Sequence, residues 1–171
     1  MRAPVVRFAV TDADARAAAH ALVLEAAAEW LGVAARDLAL THRCPDCDSD
    51  EHGVPLVAGR LEVHVSLSHT RGWIAAMAAG GRCGIDVEEV RPLGDSVLRR
   101  FLSDAEQAWL AAQPDRVAAG VRVWARKEAR FKAGQATSVV EADGLDTRGL
   151  EEWAGTSGDG TAFALGAAVR P

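Results

Sequence analysis

The sequence predicts an α+β fold, and three observations support this fold class. Helical and strand patterns alternate along the chain with no long linker and no low-complexity tract between them. The 171 residues, 49% of them hydrophobic, suffice for one ordinary core or for two small halves packed together, so a second large domain is excluded. Each half contains a helical segment and short strands, although no residue-level repeat is visible between the halves.

Helix signals stand at three places in the sequence. A first helix is predicted over residues 15–31, because an aspartate precedes it as a cap and Gly32 follows it. Ser103 and Glu106 have the spacing of a capping box, which predicts a short helix. A longer helix is predicted to end just before Gly134. The candidate caps of the first helix are Asp12 and Asp14, and its predicted face carries Leu22, Ala26 and Trp30.

Alternation and turn residues predict the strands. Residues 61–67 alternate as a half-buried strand does, and this strand is predicted to end at Ser68 and His69. Gly80-Gly81 is the kind of dipeptide that a tight hairpin prefers, which predicts pairing of the strands on either side. Residues 42–55 are rich in Cys, Asp, Ser, Gly and Pro and predict a loop. Further strands are predicted over residues 73–79, 83–88 and 161–169.

Composition and charge narrow the partners and the compartment. A formal charge of −5 and a pI near 5.5 give no general attraction for nucleic acid or for an anionic membrane. No apolar run reaches the length of a membrane span, and residues 1–7 lack the apolar run of a signal peptide. The three cysteines form no even disulfide framework and suit a reducing compartment. We therefore expect a cytoplasmic protein that binds neither nucleic acid nor a membrane.

Two compact segments, residues 84–88 and 124–132, concentrate the chemically useful side chains. Asp86 and Glu88 are two apart on a predicted strand, so they point to the same face. Glu128 and Lys132 lie one turn apart on a predicted helix. Three carboxylates suit Mg²⁺, which usually keeps waters and binds substrate phosphate, and a nearby lysine suits the phosphate itself.

Each of these features also has an ordinary structural interpretation. An Asp-x-Glu pair at a strand end is usually a solvated turn. A Glu and a Lys one turn apart most often form a surface ion pair. Taken alone, His69 is a strand-end histidine bonded to backbone, and Trp124, at helical spacing from Phe131, is expected to pack inward. The metal-site interpretation therefore depends on the joint pattern.

The predicted loop supports a separate hypothesis, a zinc knuckle. It offers four zinc-capable side chains within eleven residues, namely His42, Cys44, Cys47 and His52. A knuckle of this kind would bind nucleic acid, but the histidine spacing is short and no aromatic or basic cluster surrounds the loop. The third cysteine, Cys83, lies in a predicted strand and is interpreted as a small buried apolar residue.

Four segments, in this order, resemble the signature of the 4′-phosphopantetheinyl transferases, and in particular the monomeric, Sfp-like branch. They cover residues 65–70, 84–88, 100–103 and 124–132. The cysteine loop and the Gly53-Val54-Pro55 turn also resemble a loop found in some members. Together the resemblance spans roughly residues 40–135, with order and spacing in agreement.

The resemblance implies two similar α+β halves related by pseudo-twofold symmetry, with coenzyme A in the cleft between them. Residues 1–80 would form the N-terminal half, and residues 81–171 the C-terminal half that carries the acidic metal site. It also implies a monomer that transfers 4′-phosphopantetheine from coenzyme A to a serine of an acyl or peptidyl carrier protein, releasing adenosine 3′,5′-bisphosphate. A non-catalytic relative, which binds coenzyme A or a carrier without transfer, is the alternative.

The resemblance also assigns roles to residues. Mg²⁺ would be held by Asp86, Glu88 and Glu128, with Asp86, Glu128 and Lys132 counted as catalytic. Glu128 would accept the serine proton, and Lys132 would stabilise charge on the phosphates. Contacts to coenzyme A are expected from these residues: Arg43, Ser68, His69, Lys127 and Lys132.

The sequence departs from the family where coenzyme A phosphates are usually held. The first helix lacks the usual arginines, and the Gly-x-Pro turn has Val54 where members usually have a basic residue. Three interpretations stay open: other basic side chains compensate, coenzyme A binds weakly, or a dephosphorylated relative of coenzyme A is accepted. The side chains that can compensate are Arg16, His20, Arg43 and Arg60.

Overall fold

The computed structural model of the chain describes residues 2–11, 14–44, 47–156 and 162–169, with backbone alone for 155–156 and 162–169. The elements follow the order β1 (Val5–Val10), α1 (Ala15–Leu31), a 3₁₀ turn (Ala35–Asp37), β2 (Leu40–Arg43), β3 (Val54–Val57), β4 (His64–Thr70), β5 (Trp73–Ala79), β6 (Cys83–Glu89), α2 (Asp95–Phe101), α3 (Asp104–Ala111), α4 (Arg116–Lys132), β7 (Leu150–Thr156) and β8 (Ala162–Val169). No helix within these ranges is both long and apolar enough to cross a membrane.

The strands form three small antiparallel sheets, so the fold is of mixed α and β type, as predicted. Their orders are β1-β5-β4, β2-β3 and β6-β8-β7. Helix α1 packs on the first of these sheets and α4 on the third. The predicted loop 42–55 is shorter than expected, because β2 and β3 occupy its two ends.

Helix α1 has the predicted limits, which local signals determine. The Asp14 side chain accepts hydrogen bonds from the backbone N–H groups of Arg16 and Ala17, and Gly32 ends the helix with φ +78°. Asp12, the other candidate cap, lies outside the described residues. Leu22 and Trp30 of the predicted face lie partly buried against the core, next to the buried face of the helix. That buried face consists of Ala19, Val23, Ala26, Ala27 and Ala28, small residues that let the helix approach the sheet closely.

The predicted hairpin across Gly80-Gly81 is wrong. Strand β5 pairs with β1 on one side and with β4 on the other, so neither of its edges is open to β6. Instead β6 pairs with β8, and Gly80–Arg82 carries the chain from one sheet to the next. The neighbouring prediction, a strand over residues 61–67, is shifted, because β4 runs from His64 to Thr70.

In the second half of the chain, the capping box and the long helix agree with the predictions. The Ser103 hydroxyl accepts from the Glu106 backbone N–H, and the Glu106 carboxylate accepts from the Ser103 N–H. Helix α4 packs on β6 at Gly84, where an added Cβ would overlap the carbonyl oxygen of Ala129 and lie 2.6 Å from the Ala133 nitrogen. This close approach fixes α4 against β6.

Strands β4 and β6 lie side by side and join the two sheets through side chains. The contacts advance along both strands in the same direction, which indicates a parallel arrangement. They are Cys83 Sγ to His64 O (3.4 Å), Ile85 N to Ser66 Oγ (3.1 Å) and Ser68 Oγ to Asp86 Oδ1 (2.9 Å). The last of these contacts reaches the first predicted metal ligand.

Candidate active site

Asp86 is the most buried of the predicted acidic ligands, with 3% of its surface exposed. Its Oδ1 accepts hydrogen bonds from Ser68 Oγ at 2.9 Å and from Lys132 Nζ at 2.6 Å. Its Oδ2 is buried and has no hydrogen-bond partner among the described residues. A buried carboxylate oxygen without a donor is costly, so this atom is suited to a ligand that brings positive charge.

Lys132 connects the helix to the acidic strand. It is the last residue of α4, and its Nζ donates to the Ile85 carbonyl oxygen at 3.2 Å as well as to Asp86. The side chain keeps 29% of its surface exposed, so the ammonium is partly accessible to a ligand. The close packing of α4 on Gly84 fixes this position.

Glu88 lies beyond Asp86 on β6 and is held by an indole. Trp124 Nε1 donates to Glu88 Oε1 at 3.1 Å, and the Trp124 ring packs edge-on against Phe101 at 5.0 Å between centroids. Burial raises the pKa of Glu88, and the negative charge of Asp86 raises it further, against the opposing Trp124 hydrogen bond. Trp124 is thus a positioning donor as well as a packing residue.

Glu128 completes the acidic group from α4. Burial raises the pKa of its carboxyl group; Lys132 lowers it, and the charge of Asp86 adds to the increase. Carboxylates from β6 and α4 therefore influence one another electrostatically around Asp86.

The three carboxylates have the chemistry that Mg²⁺ requires, namely hard oxygen donors with positions left for water or phosphate. The unpaired Asp86 Oδ2 and the raised pKa values of Glu88 and Glu128 both fit a group that needs positive charge nearby. In this structure, no choice of one oxygen from each of the three carboxylates places all three oxygens within 4.8 Å of one another. Side-chain rotation would therefore be needed for all three to bind one ion.

A cleft of about 620 Å³ opens beside this acidic group, with walls from both predicted halves. One wall includes the Gly53–Pro55 turn and Ser66, and the other includes Arg82, Phe131 and Lys132. Phe131 is 41% exposed on this wall. Lys132 belongs both to the cleft and to the acidic group, which makes them one continuous site.

Comparison with known proteins agrees with this arrangement. Residues 82–159 match the model of the 4′-phosphopantetheinyl transferase superfamily. The match covers less than half of the chain, so over these residues the chain is similar to this superfamily.

Three Bacillus proteins named as 4′-phosphopantetheinyl transferases are also similar to this chain. A 4′-phosphopantetheinyl transferase psf-1 from Bacillus pumilus is 31% identical over 87 residues, which are 50% of this chain and 37% of that protein. A 4′-phosphopantetheinyl transferase from Bacillus subtilis is 30% identical over 92 residues, 52% of this chain and 41% of that protein. The 4′-phosphopantetheinyl transferase Sfp of Bacillus subtilis strain 168 is 26% identical over 86 residues, which are 49% of this chain and 38% of that protein. The alignments thus span less than half of each relative's length.

The two predicted site residues at the end of β4 face different surroundings. The Ser68 hydroxyl donates to Asp86, so Ser68 belongs to the acidic group. His69 is exposed and acts electrostatically on His20 of α1, whose ring centroid lies 5.3 Å from that of His42 on β2. Burial lowers the pKa of His20, as do the charges of His42, Arg16 and His69. Three elements thus bring potentially cationic groups together.

Lys127 does not contact the cleft, which corrects the predicted nucleotide contact. It is fully buried, and its Nζ donates to both carboxylate oxygens of Glu106, at 3.0 and 2.9 Å. It also donates to the carbonyl oxygens of Val140 and Ala142, at 3.2 and 2.5 Å. The ammonium is therefore occupied in holding the segment after α4.

Arg43 lies at the end of β2 on the surface. Its Nε donates to Asp48 Oδ1 at 2.5 Å, and both side chains are largely exposed. A surface ion pair of this kind contributes little free energy, so a phosphate can compete for the guanidinium. Its contact with coenzyme A stays a prediction.

Sequence reasoning missed several residues that shape the site. Glu106 was recognised as a cap but not as the partner of Lys127, and Trp124 was not recognised as the donor to Glu88. The spacing contained one usable signal, because Lys127 stands one turn after the buried Val123 on α4 and so points inward. The other residues that were not predicted for the site are Ser66, Arg82 and Phe131.

Proposed function

We propose that this protein transfers the 4′-phosphopantetheine group of coenzyme A to a serine of an acyl or peptidyl carrier protein. One observation carries the proposal: Lys132 lines the cleft between the two halves and also pairs with Asp86 in the acidic group. Phosphoryl transfer depends mainly on positioning and charge stabilisation, which this arrangement can supply. The similarity of residues 82–159 to the 4′-phosphopantetheinyl transferase superfamily supports the same reaction class.

The proposal includes the two-half architecture, with residues 1–80 and 81–171 as halves related by pseudo-twofold symmetry. In support, each half has a 17-residue helix on a three-stranded antiparallel sheet, α1 on β1-β5-β4 and α4 on β6-β8-β7. The parallel approach of β4 and β6 lies between the two sheets. A monomer and a cytoplasmic location stay predictions from the sequence.

Coenzyme A would occupy the cleft of about 620 Å³, a volume typical of small-molecule sites. Apolar groups such as Val54 and Phe131 suit the pantetheine arm. Lys132, which lines the cleft, suits the pyrophosphate, because an ammonium stabilises phosphate charge. The adenosine 3′-phosphate would be met by His69 and Arg43, assisted by His20.

Mg²⁺ would be held by Asp86, Glu88 and Glu128, and when bound it would neutralise pyrophosphate charge and orient the phosphates for displacement. Ser68 and Trp124 keep the ligand side chains oriented through their hydrogen bonds to Asp86 and Glu88.

The carrier serine would form a bond to the pantetheine-linked phosphorus as the pyrophosphate bond breaks, and adenosine 3′,5′-bisphosphate would leave. Glu128 would accept the serine proton; a raised pKa makes its carboxylate a stronger base than an ordinary glutamate. Lys132 would stabilise the charge that builds on the phosphate oxygens.

Intact-protein mass spectrometry of several apo carrier proteins tests this proposal. Each is incubated with coenzyme A, Mg²⁺ and the protein, and Glu128→Gln is compared with Glu151→Gln, an exposed glutamate on β7. We expect a phosphopantetheine mass gain with the native protein and the Glu151 variant, which disappears with Glu128→Gln or when Mg²⁺ is chelated. Coenzyme A binding without mass gain on any carrier would instead support the non-catalytic alternative.

A further inference from the structure

The loop between β2 and β3 contains a compact group of metal-ligating side chains that the proposed transfer does not use. Cys44, Cys47 and His52 each present one ligand atom within 4.8 Å of the other two. Cys47 Sγ and His52 Nε2 are 3.5 Å apart. The acidic residues of the candidate active site do not meet this distance, so these three side chains lie closer together than they do.

The spacing of these atoms matches tetrahedral zinc. Zinc binds sulfur at about 2.3 Å and imidazole nitrogen at about 2.0–2.1 Å, so two such ligands at a tetrahedral angle lie about 3.6 Å apart. The observed distance of 3.5 Å between Cys47 Sγ and His52 Nε2 agrees with this value. Two thiolates and an imidazole favour zinc over Mg²⁺ or Ca²⁺, which prefer oxygen ligands.

Backbone contacts among the described residues of the loop bring its two ends close together. The Cys44 N–H donates to the Ser49 carbonyl oxygen at 2.9 Å, and its carbonyl oxygen accepts from the Asp48 N–H at 2.9 Å. Gly53, next to His52, has φ +104° and packs on the other end of the loop; a Cβ there would lie 2.5 Å from the Arg43 carbonyl oxygen.

We propose that Cys44, Cys47 and His52 bind one structural Zn²⁺, with the fourth position open to solvent. Solvent can reach that position because Cys47 and His52 are exposed, whereas Cys44 is buried. The ion closes the loop between β2 and β3 by tying its first residue to the residue before Gly53. Since the Gly53–Pro55 turn lines the cleft, the zinc fixes one wall of the proposed coenzyme A site. The net charge of −5 gives no support for a nucleic-acid role.

Metal analysis of the full chain, purified without a metal-affinity tag under reducing conditions, tests this proposal. We expect about one zinc per chain, because a Cys₂His site binds zinc tightly at neutral pH. Cys47→Ser and His52→Gln should each retain less than about a tenth of the zinc, and both side chains are exposed, so folding should persist. Cys83→Ala is the matched control and should keep the zinc. Cys83 lies on β6 and not in the loop, and burial raises the pKa of its thiol to about 12, which disfavours the thiolate that zinc needs.

Cobalt substitution gives an independent readout. Co²⁺ added to the metal-free protein should produce the thiolate charge-transfer band and the strong visible bands of tetrahedral coordination, and Cys47→Ser should lose them. No zinc together with no cobalt bands would overturn the proposal, as would zinc that survives in both loop variants. A Cys44–Cys47 disulfide in place of bound metal would also overturn it. None of these readouts requires transfer activity, so this proposal and the proposed function fail separately.

Discussion

Burial of the Glu128 carboxyl group destabilises the folded state, and in the proposed reaction it makes the carboxylate a stronger base. Its carboxyl group has a folded-state pKa above the ordinary glutamate value, because burial outweighs the attraction of Lys132. A raised carboxyl pKa means that the folded state binds more protons than the unfolded state between the two pKa values. The folded state is therefore destabilised as pH rises through that window.

This linkage predicts that Glu128→Gln stabilises the metal-free protein at neutral pH while it abolishes the activity. The gain in Tm should be absent below the ordinary glutamate pKa, near pH 4, and should appear as pH rises above it. Thermal unfolding of both proteins in EDTA across this pH range measures the effect. An equal Tm for the two proteins at neutral pH would show that the buried Glu128 carboxylate does not destabilise the folded state.

A second prediction at this scale concerns Lys127. Replacement by Met leaves the buried Glu106 carboxylate without its cation, which typically costs about 3–5 kcal/mol and lowers Tm by roughly 10 °C for a chain of this size. We expect the folded fraction of Lys127→Met to keep its KM for coenzyme A. The same change at Lys132, five residues along α4, should reduce transfer at least about 100-fold. If Lys127→Met instead had an increased KM for coenzyme A and an unchanged Tm, the predicted contact between Lys127 and the nucleotide would be supported.

At the scale of elements, the sequence predicted best where the signal is local. The limits of α1 depend on Asp14 and Gly32, which act within one turn of the helix ends. The capping box of Ser103 and Glu106 is equally local. The hairpin across Gly80-Gly81 failed for the opposite reason, because β5 has two non-local partners that outcompete its neighbour in sequence. Turn residues permit a hairpin, but pairing is decided by the whole sheet.

Gly84 sets the position of α4, which predicts a large effect for a single methyl group. In Gly84→Ala the new Cβ would overlap the Ala129 carbonyl oxygen, so α4 must move away from β6. We expect a loss of about 1–3 kcal/mol in the free energy of unfolding. Transfer should fall roughly tenfold to a hundredfold, because Glu128 and Lys132 move with the helix. Urea unfolding and the transfer rate measure both effects.

Gly120→Ala is the matched control on the same helix. A Cβ at Gly120 would meet its nearest neighbour, Leu110, at an ordinary 3.6 Å. Alanine also has the higher helix propensity, by about 0.8–1.0 kcal/mol. This variant should therefore be as stable as the native protein or more so, with normal activity. If both alanine variants behaved alike, close packing at Gly84 would not be what fixes the site.

At the scale of the whole molecule, the candidate site is assembled from both predicted halves, which limits what a sequence can predict. The acidic residues and Lys132 stand in short motifs and were predicted from them. Their mutual placement was not, because Ser68 reaches Asp86 only through the parallel approach of β4 and β6. The burial of Lys127 likewise depends on Glu106, 21 residues away, which no local pattern links to it.

The histidines of α1, β2 and β4 lead to a prediction about coenzyme A binding. Burial and the neighbouring His42, Arg16 and His69 lower the pKa of His20, against the opposing charge of Asp14. A phosphate dianion would favour the protonated form, so affinity should increase as pH falls, by up to about tenfold per pH unit for one linked proton.

Calorimetric titration between pH 6 and pH 8 measures this dependence, with dephospho-coenzyme A as the matched ligand without the 3′-phosphate. The dependence should be weaker for that ligand and for His20→Gln. A pH dependence equal for both ligands would place the 3′-phosphate away from these histidines.

The single-turnover rate of phosphopantetheine transfer at saturating coenzyme A tests the central claim most directly. It is measured for the native protein, Glu128→Gln and the surface control Glu151→Gln, with coenzyme A affinity determined in parallel. We expect Glu128→Gln to slow transfer at least about 100-fold with little change in affinity, and Glu151→Gln to match the native protein. A native rate in Glu128→Gln would contradict the assignment of the acidic group as the reaction centre.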